Sequence, residues 1–130
     1  MRDSRRRRGV AAAEFAVLLP LLVIMVFGAI EASSFIFLKQ SLNVAAYEGI
    51  REAARLTSTE TTATDAATAI LTARRVNDFA VTFPDGDPAD TPRGDAMTIV
   101  VSAPTNTNSP LAGQFIPNRV INARIVMTKE

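Results

Sequence analysis

A carboxylate inside an apolar run is the strongest chemical signal in this chain. Glu14 is the one ionisable residue between Gly9 and Ile30, and no side chain from Phe15 to Ile30 is charged. Holding an ionised group at bilayer depth costs about 3 kcal/mol or more, so such a residue reads by default as functional. The competing reading is a carboxylate that snorkels to the interface, since Glu14 stands only six residues beyond Arg8. Just upstream, Arg5–Arg8 end at Gly9, a residue that leaves the backbone open to close approach. Other groups are less pointed. Asp85, Asp87, Asp90 and Asp95 share one loop and could offer oxygen ligands to Ca²⁺, but their order does not match an EF-hand, and solvated turn chemistry explains them better. Glu48 and Glu52 could be imagined as an acid/base pair. Ion pairing on a helix surface with Arg51 and Arg55 accounts for both without further assumption.

The exclusions are firmer. The chain has no Cys and no His, so it has no disulfide, no thiol site, and neither of the commonest metal ligands nor the commonest general base. No nucleophile–base set, phosphate loop or metal spacing is present, so the sequence reads as a non-enzyme without cofactor or metal. Five arginines and one aspartate give the residues before Gly9 a charge of +4; nine basic and twelve acidic residues give the rest −3. The basic end suits a membrane surface, and nothing beyond it clusters Lys and Arg as a nucleic-acid face would.

These residues must be positioned by a membrane helix. Val10–Ile30 is 21 residues, and about 20 apolar residues span a bilayer. The arginines hold the N-terminus on the cytoplasmic side and send the remainder outside. A secretory signal peptide has a shorter apolar core and a small-residue exit; Ala29-Ile30-Glu31-Ala32-Ser33 offers no such site. The sequence thus divides into a basic leader at 1–9, a transmembrane segment at 10–31 and an extracytoplasmic part at 32–130.

Gly9 followed by Val10-Ala11-Ala12-Ala13 and then Glu14 resembles the processing site of type IV pilins and pseudopilins. The run Glu14-Phe15-Ala16-Val17-Leu18-Leu19-Pro20 is similar to the TadE-like pseudopilins of tight-adherence pilus systems. The resemblance is specific over about Arg8–Glu31, with Val10 standing where phenylalanine usually follows the cut. It implies that a prepilin peptidase cuts between Gly9 and Val10. It also implies that Glu14, with Phe15 and Pro20 beside it, serves assembly by pairing with the new amine at Val10 of a neighbouring subunit. The implied partners are the membrane, the peptidase, other pilin-like subunits and the pilus assembly machinery; the implied role is a minor or initiating subunit in attachment or secretion. The alternative is an uncleaved single-pass anchor carrying a binding module.

The helix is expected to continue to about Thr57, with Phe35, Leu38, Leu42, Ala45, Gly49, Ala53 and Leu56 on one face. Pro20 removes a hydrogen-bond donor, so a kink or local melting is expected there. Thr62 with Asp65 fits a capping box for a second helix running to Arg75 or Val76, with Ala63, Ala66, Ala67, Ile70 and Leu71 on its apolar face. Beyond Asp78 the period becomes two. Strands are expected at Asp78–Phe83, Ala96–Ala103 and Val120–Thr128, an irregular loop at Pro84–Asp95, and a short covering segment at Leu111–Pro117, broken by Gly113. The fold class is α+β: a long N-terminal helix, a short helix and an antiparallel sheet of about three strands.

Overall fold

The computed structural model describes residues 2–112 and 115–130; Gly113, and with it the break expected there, lies outside the described residues. The elements follow the order α1 (Arg2–Ala53), α2 (Glu60–Ala73), β1 (Ala80–Thr82), a 3₁₀ turn (Pro88–Asp90), β2 (Ala96–Pro104) and β3 (Val120–Thr128). The sheet order is β1-β2-β3, antiparallel throughout. The layout is the α+β arrangement read from the sequence. The chain divides into two units, Met1–Ser33 and Ser34–Glu130.

In the first unit α1 is apolar all round from Phe15 to Ile30, and every residue from Gly9 to Ile30 is exposed. A helix satisfies its own backbone hydrogen bonds, which is why an apolar stretch of this length takes that form in lipid. The helix continues through Pro20, so the local melting expected there does not occur.

In the second unit the same helix becomes one-sided. Leu38, Leu42, Ala45, Ala46, Ile50 and Ala53 are buried, with Gly49 among them. Each fully buried Leu or Ile contributes about 1.5–3 kcal/mol. Glu48–Arg51 and Glu52–Arg55 pair on the exposed side at 3.4 and 2.9 Å, contributing at most a few tenths of a kcal/mol each. The helix ends at Ala53 rather than Thr57. Beyond it the bonds tighten to Arg55 N to Glu52 O and Ser58 N to Arg55 O, which turns Leu56 off the buried face and leaves it 60% exposed.

The second helix starts from a different cap than the one expected. Thr59 is the N-cap: its hydroxyl accepts from the Thr62 amide, and the Thr62 hydroxyl accepts from the Thr59 amide. A hydroxyl at the third helical position thus does what Glu or Gln does in the usual capping box, and Asp65 is left exposed. The helix closes at Ala73, short of the expected Arg75 or Val76. Arg75 takes the left-handed conformation (φ 56°), its amide bonds to Thr72 O, and Val76 N bonds to Leu71 O. This is a Schellman closure, with buried Val76 as its apolar contact. Ala63, Ala67 and Leu71 form the buried face.

The strand at 78–83 shrinks to Ala80–Thr82, though Phe79, Val81 and Phe83 keep the expected inward alternation and pack on the core. Pro88–Asp90 forms a 3₁₀ turn within the loop expected to be irregular. Met97, Ile99 and Val101 are buried, as is Ala123, while Ile121, Ile125 and Met127 pack against the core.

Three elements meet at Gly49. A methyl added there would stand 2.7 Å from Ile99 Cδ1 of β2, 3.1 Å from Ala67 Cβ of α2 and 3.3 Å from Ala63 O. Gly49→Ala gains up to about 1 kcal/mol of helix propensity but overpacks a site where about 1–3 kcal/mol is the usual cost. We expect net destabilisation of Gly49→Ala by about 1 kcal/mol. Ile99→Val should relieve it, so the double variant loses less than the two singles together. Thermal unfolding of the four proteins followed by circular dichroism reads the coupling; simple additivity would show that the crossing is not tight.

A second closure lies at the chain's end. Lys129 is buried, and its Nζ donates to Ala53 O at 3.1 Å and Pro88 O at 2.8 Å. The cation thus caps the last turn of α1, where the helix dipole favours positive charge. Lys129→Met keeps the stem but strands two buried carbonyls, and should cost about 2–3 kcal/mol. A melting temperature unchanged in that variant would remove Lys129 from the framework.

Candidate functional site

The residues singled out by chemistry fall in two places. Gly9, Val10, Glu14, Phe15 and Pro20 all lie on α1, which is continuous from Arg2. Gly9 has open space around the position of an absent Cβ, and Val10 and Phe15 are more than half exposed. Val10 and Glu14 are four residues apart, so their side chains lie on one face, one above the other. Glu14 is exposed like its neighbours. The arrangement therefore offers a carboxylate and the Gly9–Val10 peptide to an outside partner on the same side of the helix. No other charged side chain follows until Glu31.

The acidic loop is the second place. Asp85, Asp87, Asp90 and Asp95 line one open pocket of about 380 Å³, together with Gly86, Thr91 and Pro92. Among the described residues, no three carboxylates stand close enough to hold a metal ion. Asp87 serves the framework instead, since its Oδ1 accepts from Ala89 N at 2.8 Å and from Glu60 N at 3.0 Å. It thus caps the 3₁₀ turn and satisfies the first amide of α2, a favourable place for a negative charge. Glu48 and Glu52, the imagined acid/base pair, each face an arginine on the helix surface.

Two groups escaped sequence reasoning. Lys129 carries no pattern that separates it from a solvated terminal lysine; only the fold brings it beneath Ala53. The Asn77–Asn108 pair is the other. Asn108 Oδ1 accepts from Asn77 N at 2.7 Å, and Asn108 Nδ2 donates to Asn77 O and Pro104 O. Asn118 Oδ1 likewise accepts from Thr105 Oγ1 and Asn106 N. These amides hold the two ends of the β2–β3 connection, at 104–108 and at Asn118, in place.

The apolar part of α1 meets the length and composition of a membrane span, with a mean hydropathy of 2.6 over its most apolar window and none of that window buried. Among the described residues it is the one helix that does so. The match to known families falls on this same helix. No curated protein and no solved structure matches the chain. From Gly9 to Arg51, which takes in the glycine, the carboxylate, the apolar run and most of the one-sided helix, the chain matches the family model of the TadE-like proteins.

Proposed function

We propose that this protein is a pseudopilin of a tight-adherence type pilus or secretion system, anchored by α1 with its N-terminus in the cytoplasm. It is cut after Gly9 by a prepilin peptidase and assembled through the N-terminal part of that helix. The observation that carries the reading is the coincidence of the TadE-like match at residues 9–51 with Gly9, Glu14 and an exposed apolar helix surface. Removal of the leader would replace the Val10 amide by an α-amine. Glu14 of one subunit pairs with that amine on the next, because two opposite charges in a low-dielectric environment attract strongly and each is costly alone. The second unit, with its own core of helix and sheet, is more than a minimal filament needs. This favours a minor or initiating subunit over the main filament component.

Cutting is tested by intact mass of the membrane-extracted protein from cells holding a prepilin peptidase. The mature chain should begin at Val10, and Gly9→Leu should stay full length, because the enzyme needs a backbone without a side chain there. A parent chain that keeps Arg5–Arg8 beside an active peptidase overturns the pilin reading in favour of an uncleaved anchor.

Assembly is tested at Glu14. Glu14→Gln keeps size and hydrogen bonding but removes the charge. Insertion, cutting and folding of the second unit should be unchanged, while crosslinking between membrane segments and pilus output fall sharply. Glu14→Leu should insert at least as well and assemble no better. Undiminished crosslinks in both variants would leave Glu14 with no role beyond its nearness to the interface.

A further inference from the structure

The second unit has two chemically different ends. α1 and β3 run in the same direction: Lys39 Nζ donates to Asn122 O near their starts, and Glu130 N donates to Ala54 O near their ends. α2 and β2 run the other way. The amide of Glu60 meets Asp87, whereas Asn77, just past α2, meets Thr107 and Asn108 in the β2–β3 connection. One end therefore gathers the start of this unit's helix, the α2 closure and the described residues of the connection between β2 and β3. The opposite end gathers the α1 terminus, the acidic loop and the chain end.

The first end is basic and greasy. Lys39, Arg74, Arg75 and Arg119 stand there with Asp78, and Glu31 lies just ahead of Ser34. Phe115 is 81% exposed, and it is held by a turn in which its amide bonds Leu111 O at 3.1 Å. Val120, Ile36 and Phe37 are also more than half exposed. The opposite end carries Asp85, Asp87, Asp90, Asp95, Glu60 and Glu130 against Arg55, Arg93 and Lys129. An exposed aromatic at the same end as several cations is unexplained by the unit's own folding, and that end has the composition of a lipid-interface surface.

We propose that this end of the second unit rests on an anionic phospholipid surface, with Phe115 inserted at the headgroup level and Arg74, Arg75 and Arg119 over the phosphates. The proposal depends on the membrane anchoring of α1. The apolar run stops at Ile30, and the four residues to Ser34 reach about 14 Å at most, so the basic end is the one tethered beside the bilayer. The four basic residues complement an anionic surface, and each such residue biases contact about fivefold, the equivalent of about 1 kcal/mol.

The chain has no Trp, so Phe115→Trp places a sole reporter. The full chain is reconstituted at one copy per nanodisc, in phosphatidylcholine with or without phosphatidylglycerol, using lipids brominated on the acyl chains. Phe115→Trp should be quenched in discs with phosphatidylglycerol. Leu56→Trp, at the opposite end and also exposed, should not. Adding Arg74→Glu and Arg119→Glu to Phe115→Trp should lower the ratio of seated to lifted units by at least about 25-fold in anionic discs, with little change in phosphatidylcholine alone. Equal quenching at the two sites, or quenching at 115 indifferent to both lipid charge and charge reversal, overturns the proposal. Quenching or shielding that appears only with two copies per disc assigns the face to a second copy and overturns it as well. A chain that elutes without lipid overturns the anchoring itself, whereas a disc-bound chain with an unquenched reporter overturns the lipid seat alone.

Discussion

One hydrogen-bonded ladder has to serve two solvents in this chain. Within lipid every backbone polar group must find its partner inside the segment, and α1 meets that demand by remaining helical from Arg2 through Pro20 to Ala53. Its side chains then change their rule along the way. From Phe15 to Ile30 they are apolar in all directions and exposed; from Ser34 they are apolar on the face that covers α2 and the sheet. The switch needs no break in the backbone, because only the pattern of side chains distinguishes a helix in lipid from one on a soluble core.

The soluble unit is then fixed by small residues and by its ends. Ala45, Gly49, Ala63 and Ala67 keep α1 and α2 close, so the sheet can press Ile99 into the same crossing. Close approach of this kind trades apolar area for fit. It makes the unit depend on how the elements terminate, and local caps are joined there by groups from elsewhere in the chain. Asp87 reaches the start of α2, Lys129 reaches the end of α1, and the amides of Asn108 and Asn118 hold the connection before β3. With no cysteine, these polar closures take the place that cross-links hold in many small exported domains.

What could be read from the sequence follows from range. Periodicity is local, so the helical face around Leu38 and Leu42 and the alternation of β2 and β3 were legible from neighbouring residues alone. The Gly9–Glu14 constellation could be proposed from the sequence because all of its parts fall within six residues. The caps were harder. Thr62–Asp65 satisfies the same pattern as Thr59–Thr62, and the choice is made by where the chain leaves α1, which a window of four residues does not contain. Leu56 follows the helical spacing yet lies past the true end. Lys129 was illegible for the opposite reason: its partners are 76 and 41 residues away, and a lysine near a terminus has every local reason to be solvated.

The helix that carries Glu14 also gives a physical reason for its position, on the proposed reading of the site. Before cutting, Gly9 and Val10 lie inside α1, where glycine is about 1 kcal/mol poorer than alanine. The peptide that a peptidase must pull into an extended form is therefore one that the helix holds less well than its alanine neighbours. After cutting, Val10 would become the first residue of the helix, and its amine would add a full positive charge where the dipole already places about half of one. That end would then be doubly cationic and close to lipid. A carboxylate four residues further on lies on the same face and within the turn where the dipole still acts. Glu14 is thus placed to offset both charges, whether from its own helix or from a neighbour's. An arrangement in which the neighbour supplies it leaves each subunit with an unsatisfied charge until the next one arrives, which makes assembly the state in which all the charges are paired.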